Sequence, residues 1–189
     1  MRHSEEANHY LIFILESAAY VTESIILSTS GQDEAYTKTQ LRENSMENYI
    51  DAAESRFDDL NAFIKEERKV GSIHLGGIYI ECLLKGMICM EHSVGDGPGS
   101  HKWIVDGLEM TRPGHVLHSP ELVTLLDPLY DDMPDNILNA LDYIAKPEGI
   151  NYIDYRYIPE DNINMAIYDY WMEQFISVFN YLDQKKHEI

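Results

Sequence analysis

One stretch constrains the chain more than any other: Val70 to Glu91, whose centre reads His74-Leu-Gly-Gly-Ile-Tyr-Ile-Glu-Cys-Leu-Leu-Lys-Gly-Met-Ile88. Leu75, Ile78, Cys82 and then Met87 or Ile88 recur at three- and four-residue steps. Ile80, Leu83 and Leu84 fill most of the remaining circumference, so a helix here is apolar nearly all round and belongs inside a larger assembly of helices. Within it stand Glu81 and Lys85, an i to i+4 pair in the favourable order. A carboxylate in such surroundings costs several kcal/mol unless it finds partners, so some distant part of the chain is expected to meet it. Gly76 and Gly77 each lower helix propensity by about 1 kcal/mol relative to Ala. They therefore predict that another helix backbone packs closely at that point. A structural ion pair in a core helix is the reading favoured over a catalytic one.

The 189 residues fit one domain with an extension, and a hydrophobic content of 44% can build a sizeable core. Thirty-three acidic residues against fourteen basic ones give a formal charge of -19, which argues against a broad phosphate-binding surface and against general attraction to nucleic acid or anionic lipid. Any nucleic-acid role must be local. Cys82 and Cys89 lie about 10 Å apart along the same predicted helix, too far for a disulfide, and fit a reducing cytoplasm. The longest apolar run near the start, Tyr10 to Leu15, is six residues and follows Glu5 and Glu6, so neither a signal peptide nor a membrane span is expected.

In chain order, Ser4 before Glu5 and Glu6 reads as an N-cap, followed by Leu11, Ile14, Leu15, Ala18, Val21, Thr22 and Ile25 at helical spacing. The same residues also read as two short strands, Tyr10 to Leu15 and Tyr20 to Leu27. From Asn44 or Ser45 to about Lys69, Met46, Tyr49, Ile50, Ala53, Phe57, Leu60 and Ile64 form one stripe, with Asp51, Glu54, Asp58 and Asp59 opposite. A tight turn at Gly71 and Ser72 is expected to join this helix to the central one as a hairpin. His92 to Ser100 is a loop by composition; a short segment His101 to Met110 follows, with His101, Trp103, Ile104 and Leu108 expected to touch the core, and then a second loop, Thr111 to His118, broken by Pro113 and Gly114. Ser119-Pro120-Glu121 opens a helix that Pro128 and Pro134 interrupt before it ends near Ala145. Lys146 to Ile158 is tyrosine-rich, and a last helix runs from about Glu160 to Gln184, with Ile163, Ile167, Trp171, Phe175, Val178 and Leu182 on one face.

Other constellations are weaker. His115 and His118, with Asp131, Asp132 and Asp135, offer ligand types for a metal. The i to i+4 metalloprotease spacing is absent, however, and carboxylates are abundant throughout, so no metal or other cofactor is expected. Asp96 to Ser100 has the glycines of a phosphate loop without its Lys-Ser/Thr or a preceding strand. Tyr143, Tyr152, Tyr155 and Tyr157, with Trp103 and Trp171, suit base stacking or, the better reading, a protein interface.

Taken together, Gly77 to Ile88 with its Glu81-x-x-Leu84-Lys85, then His101, then Arg156-Tyr157, in that order, resemble the HEPN family, named for higher eukaryotes and prokaryotes nucleotide binding. The similarity covers Ser45 to Gln184. It implies an all-α, antiparallel up-and-down bundle of four to five helices over residues 44–185; residues 1–43 lie outside it as an N-terminal extension, read as a helix from the spacing above. It also implies homodimerisation and a setting in toxin-antitoxin pairs, defence or RNA processing, and with it a nucleotide or RNA ligand or a partner such as a nucleotidyltransferase or antitoxin. By the same resemblance His101 and Arg156 approach Glu81 and Lys85, making a cluster with Tyr157.

Catalytic members of that family carry an Arg followed after four to six residues by a His near the start of a late helix, where Arg holds a phosphate and His moves a proton. Arg156 has no such histidine. Arg112 and His118 have the interval but lie in a loop containing Pro113-Gly114. Two readings follow: a cytoplasmic, dimeric binding or partner module without an intact ribonuclease motif, or a metal-independent endoribonuclease using Arg112 and His118. A third treats the chain as an unrelated helical scaffold in which Glu81, His101 and Arg156 need not meet.

Overall fold

The structure, a computed structural model, describes residues 49–92, 94–96, 102–112 and 133–187. The readings made for residues 1–43, for His101, His115 and His118, and for the start of the helix at Ser119 fall outside these residues. The described part is mostly helical, built on α1 (Tyr49–Lys65), α2 (Lys69–Glu91), α3 (Asp135–Ala145) and α4 (Met165–Lys186).

α1 turns Tyr49, Ala53, Leu60 and Ile64 inward, the stripe expected from the sequence. It ends without glycine. Glu67 takes a left-handed conformation with φ 55, its amide bonds the Ile64 carbonyl at 3.0 Å, and the Arg68 amide bonds Phe63 at 2.9 Å. This pair of bonds is the Schellman arrangement, which satisfies the last carbonyls of a helix. The turn therefore comes earlier than Gly71 and Ser72, which lie inside α2 instead. There Phe63 covers Gly71 so closely that an added Cβ would fall 2.3 Å from its ring.

α2 is the central element. Ile73, Ile80, Leu84, Met87 and Ile88 are each 0% exposed, and each such side chain contributes about 1.5–3 kcal/mol on burial. By length and composition α2 could cross a membrane, with mean hydropathy 1.4, but 67% of that window is buried within the fold. Gly76 and Gly77 admit rings, not the neighbouring helix backbone expected there. Trp171 lies against Gly76 and Tyr152 against Gly77, where a Cβ would come within 2.6 and 2.2 Å respectively, and Ile50 lies against Gly86.

The helical expectation holds for the frame, and a small sheet is added to it after α2. Val94–Asp96 (β1), Lys102–Val105 (β2) and Leu108–Thr111 (β3) form an antiparallel sheet in that order, with Val94 opposite Val105 and Trp103 opposite Met110. Asp106 (φ 50) and Gly107 (φ 85) make the tight turn, the Asp-Gly signature of a two-residue hairpin. β2 buries only Trp103 and Val105, while Ile104 and Leu108, expected to touch the core, are 36% and 75% exposed and β3 buries none of its residues, so alternation hardly registers in the sequence.

α3 follows Pro134 and buries Ile137, Ala140, Leu141, Ile144 and Ala145. Three short 3-10 turns, Pro147–Gly149, Tyr152–Tyr157 and Glu160–Asn162, lead to α4. The last helix starts at Met165, not near Glu160, because the Asn164 side chain accepts the Ile167 amide at 2.9 Å and caps it there. Tyr168, Trp171, Phe175, Val178 and Leu182 form its inner face. The starts of α2 and α4 are tied together, since Lys69 Nζ donates to the Ile163 carbonyl and the Val70 amide to Glu160 at 3.3 Å.

Candidate functional site

Glu81 and Lys85 are 5% and 3% exposed, so both charges lie in the interior as the sequence predicts. Lys85 Nζ donates to Glu81 Oε1 at 2.5 Å. The second carboxylate oxygen accepts a hydrogen bond from the Tyr152 hydroxyl. Tyr152 is delivered by the 3-10 turn it begins, which the Asn151 side chain caps by accepting the Ile153 amide at 3.0 Å. It is held at its backbone as well: His74 Nδ1 lies 3.1 Å from the Tyr152 carbonyl. A carbonyl only accepts, so Nδ1 carries the hydrogen in that contact.

Arg156 does not reach this pair. A 3-10 helix has three residues per turn, which puts Tyr152 and Tyr155 on one face. They are 0% and 1% exposed. Arg156 and Tyr157 fall on the outer side, with Tyr157 73% exposed and the Arg156 guanidinium 4.7 Å from the centre of its ring. The carboxylate is thus met by a neutral phenol where a guanidinium was expected.

On the other side of Lys85 the contacts continue. Its Nζ lies 5.7 Å from the Tyr49 ring centre, and Tyr49 is met edge-on by Trp103 at 5.9 Å. The Tyr49 hydroxyl accepts a hydrogen bond from Arg112 Nη2 at 2.6 Å, and the guanidinium lies 5.8 Å from the same ring. A continuous series, Tyr152, Glu81, Lys85, Tyr49, Arg112, so links four segments far apart in sequence. Arg112 in this series is half-buried.

The electrostatics of this series favour holding over reacting. Burial pushes the Tyr152 phenol far above its usual range, and the charge of Glu81 and the hydrogen bond to it add to the shift, so Tyr152 stays a neutral donor. Burial likewise raises the Cys89 thiol, with Arg112 pulling the other way, so a reactive thiolate is disfavoured there. Among the described residues no group of three or more His, Cys, Asp or Glu could hold a metal ion.

Sequence reasoning singled out Glu81 and Lys85 as a buried pair, and Arg112 only beside His118, and missed Tyr152, Tyr49 and His74 as partners in this series. The three-residue spacing of Tyr152 and Tyr155 was the available signal for a coil with one inward face. Comparison with protein-family models, curated proteins and solved structures gave no match.

Proposed function

We propose that the chain is an HEPN-like helical module that dimerises and binds a nucleotide-type ligand or a protein partner, without ribonuclease chemistry of its own. The observation that carries this reading is the mutual satisfaction of Glu81, Lys85 and Tyr152 away from solvent. Glu81, Leu84 and Lys85 of the Glu-x-x-Leu-Lys motif are all buried, which suits a pair that locks helices together. The ligand-binding part rests on Arg156 and Tyr157, an exposed guanidinium and ring already stacked on one another. Such a pair suits a phosphate beside a base, and stacking is worth about 1–3 kcal/mol per base.

The test joins two assays on the full chain. Equilibrium dialysis against ATP and against a short single-stranded RNA should show binding that Tyr157→Ala weakens about tenfold, equal to about 1.4 kcal/mol. Incubation of the RNA with chelator present should leave it intact. Unchanged binding in Tyr157→Ala would remove the ligand site.

One observation favours the second reading, a metal-independent ribonuclease. Tyr49 fixes the Arg112 guanidinium by both a hydrogen bond and its ring, as a phosphate-holding arginine requires. Cleavage that persists in chelator and vanishes in His118→Ala would replace the first reading with this one.

A further inference from the structure

Tyr143 on α3 and Tyr170 on α4 form an aromatic pair outside the core, ring centres 4.7 Å apart at 76°, with Tyr170 49% exposed. The α3 and α4 cores are already filled by Leu141, Ile144, Trp171 and Phe175, each 0–1% exposed, so the pair is not needed to seal them. Its rim is acidic. Glu148 accepts a hydrogen bond from the Tyr143 hydroxyl at 2.9 Å from a left-handed backbone (φ 51, ψ 28), a conformation that a non-glycine residue rarely adopts. Asp169 adjoins Tyr170 in sequence and Glu173 follows it by about one turn, both exposed. The Tyr143 phenol is pushed well above its usual range, first by burial and then by Glu148, in keeping with a negative local field. Lys146, one turn beyond Tyr143 and exposed, is a cation on this side among the described residues.

We propose that this face docks an arginine-rich segment of a partner protein. A guanidinium finds there two ring surfaces for cation–π contact and carboxylates to pair with, and Arg is enriched at interfaces built this way. Charge complementarity selects the occupant. A second copy of a chain carrying -19, or a nucleic acid, would bring negative charge against negative charge. The proposal uses none of Glu81, Arg156 or Tyr157, so it stands or falls apart from the nucleotide reading.

The experiment titrates the full chain with octa-arginine peptide by calorimetry, and separately follows sedimentation and binding of single-stranded RNA. Tyr170→Ala should weaken peptide binding about tenfold, and Tyr170→Phe should keep it. Glu148→Gln with Glu173→Gln should weaken it and flatten its salt dependence. Glu54→Gln with Asp58→Asn, exposed on α1, should leave the affinity unchanged. Failure of the peptide to bind, wild-type affinity in Tyr170→Ala, or equal weakening by the α1 pair would overturn the proposal, the last by showing diffuse attraction only. A shift from dimer to monomer, or loss of RNA binding, on Tyr170→Ala would assign the face to a second copy or to nucleic acid and overturn it equally.

Discussion

The phenol of Tyr152 donates a hydrogen bond to the carboxylate of Glu81 across 71 positions of sequence, fastening the 3-10 coil to the middle of α2. Tyr152→Phe removes the donor and little else. The variant should lose about 1–3 kcal/mol of unfolding free energy, read as a lower urea midpoint at unchanged slope. An unaltered midpoint would show that Glu81 does not depend on the phenol.

Glu81 and Lys85 should behave as a unit. Removing one partner, as in Lys85→Met, strands a charge in the interior and should cost about 3–5 kcal/mol, whereas Glu81→Leu combined with Lys85→Met should recover most of that loss. A double-mutant cycle by chemical denaturation checks this. Additive losses would mean that the two side chains are not coupled as their 2.5 Å contact implies.

Gly77→Ala should destabilise, against the gain of about 1 kcal/mol that alanine brings to a helix interior. The added methyl would sit 2.2 Å from the Tyr152 ring, and Tyr152 cannot withdraw without giving up Glu81. Thermal unfolding of Gly77→Ala beside Gly95→Ala, whose Cβ would meet nothing within 4 Å, separates crowding from any general effect of losing a glycine.

Alkaline pH should weaken the fold. Burial raises the Tyr168 and Tyr155 phenols from 10.0 to about 12, with Glu148 adding to the shift at Tyr155. A folded-state pKa above the unfolded one means that the unfolded chain gives up the proton first. The contribution of these groups is therefore complete below pH 10, declines between 10 and about 12, and is gone above. Denaturation midpoints measured across that window should fall with rising pH, and Tyr168→Phe should make the decline shallower. A flat profile to pH 12 would count against the burial of these phenols.

Much of the helical frame was legible because it rests on long periodic patterns. α2 ends at Glu91 as expected, and the inward faces of α1 and, Tyr168 apart, of α4 were read from their spacing. What escaped was local chemistry that overrides such patterns. Glu67 occupies a left-handed helix end where glycine is the usual signal, so the nearby Gly71 drew the turn too far along the chain. Asp106-Gly107 did announce a hairpin, but the flanking strands are four residues each and were read as one short segment. At the site, the burial of Glu81 followed from its greasy surroundings. Its phenolic partner did not, because the inward and outward members of residues 152–157 are sorted by a period of three, and both tyrosine and arginine occur there.

That sorting makes the coil intolerant of changes in length in a way that it is not of changes in identity. One residue inserted after Tyr152 would rotate everything downstream by about a third of a turn, putting Asp154 in the inward place of Tyr155, and one residue deleted would put Arg156 there, so either change presents a charge to the greasy interior. Natural variants of this segment should therefore differ by replacement and hardly ever by insertion or deletion, a pattern that a library of randomised lengths could expose directly.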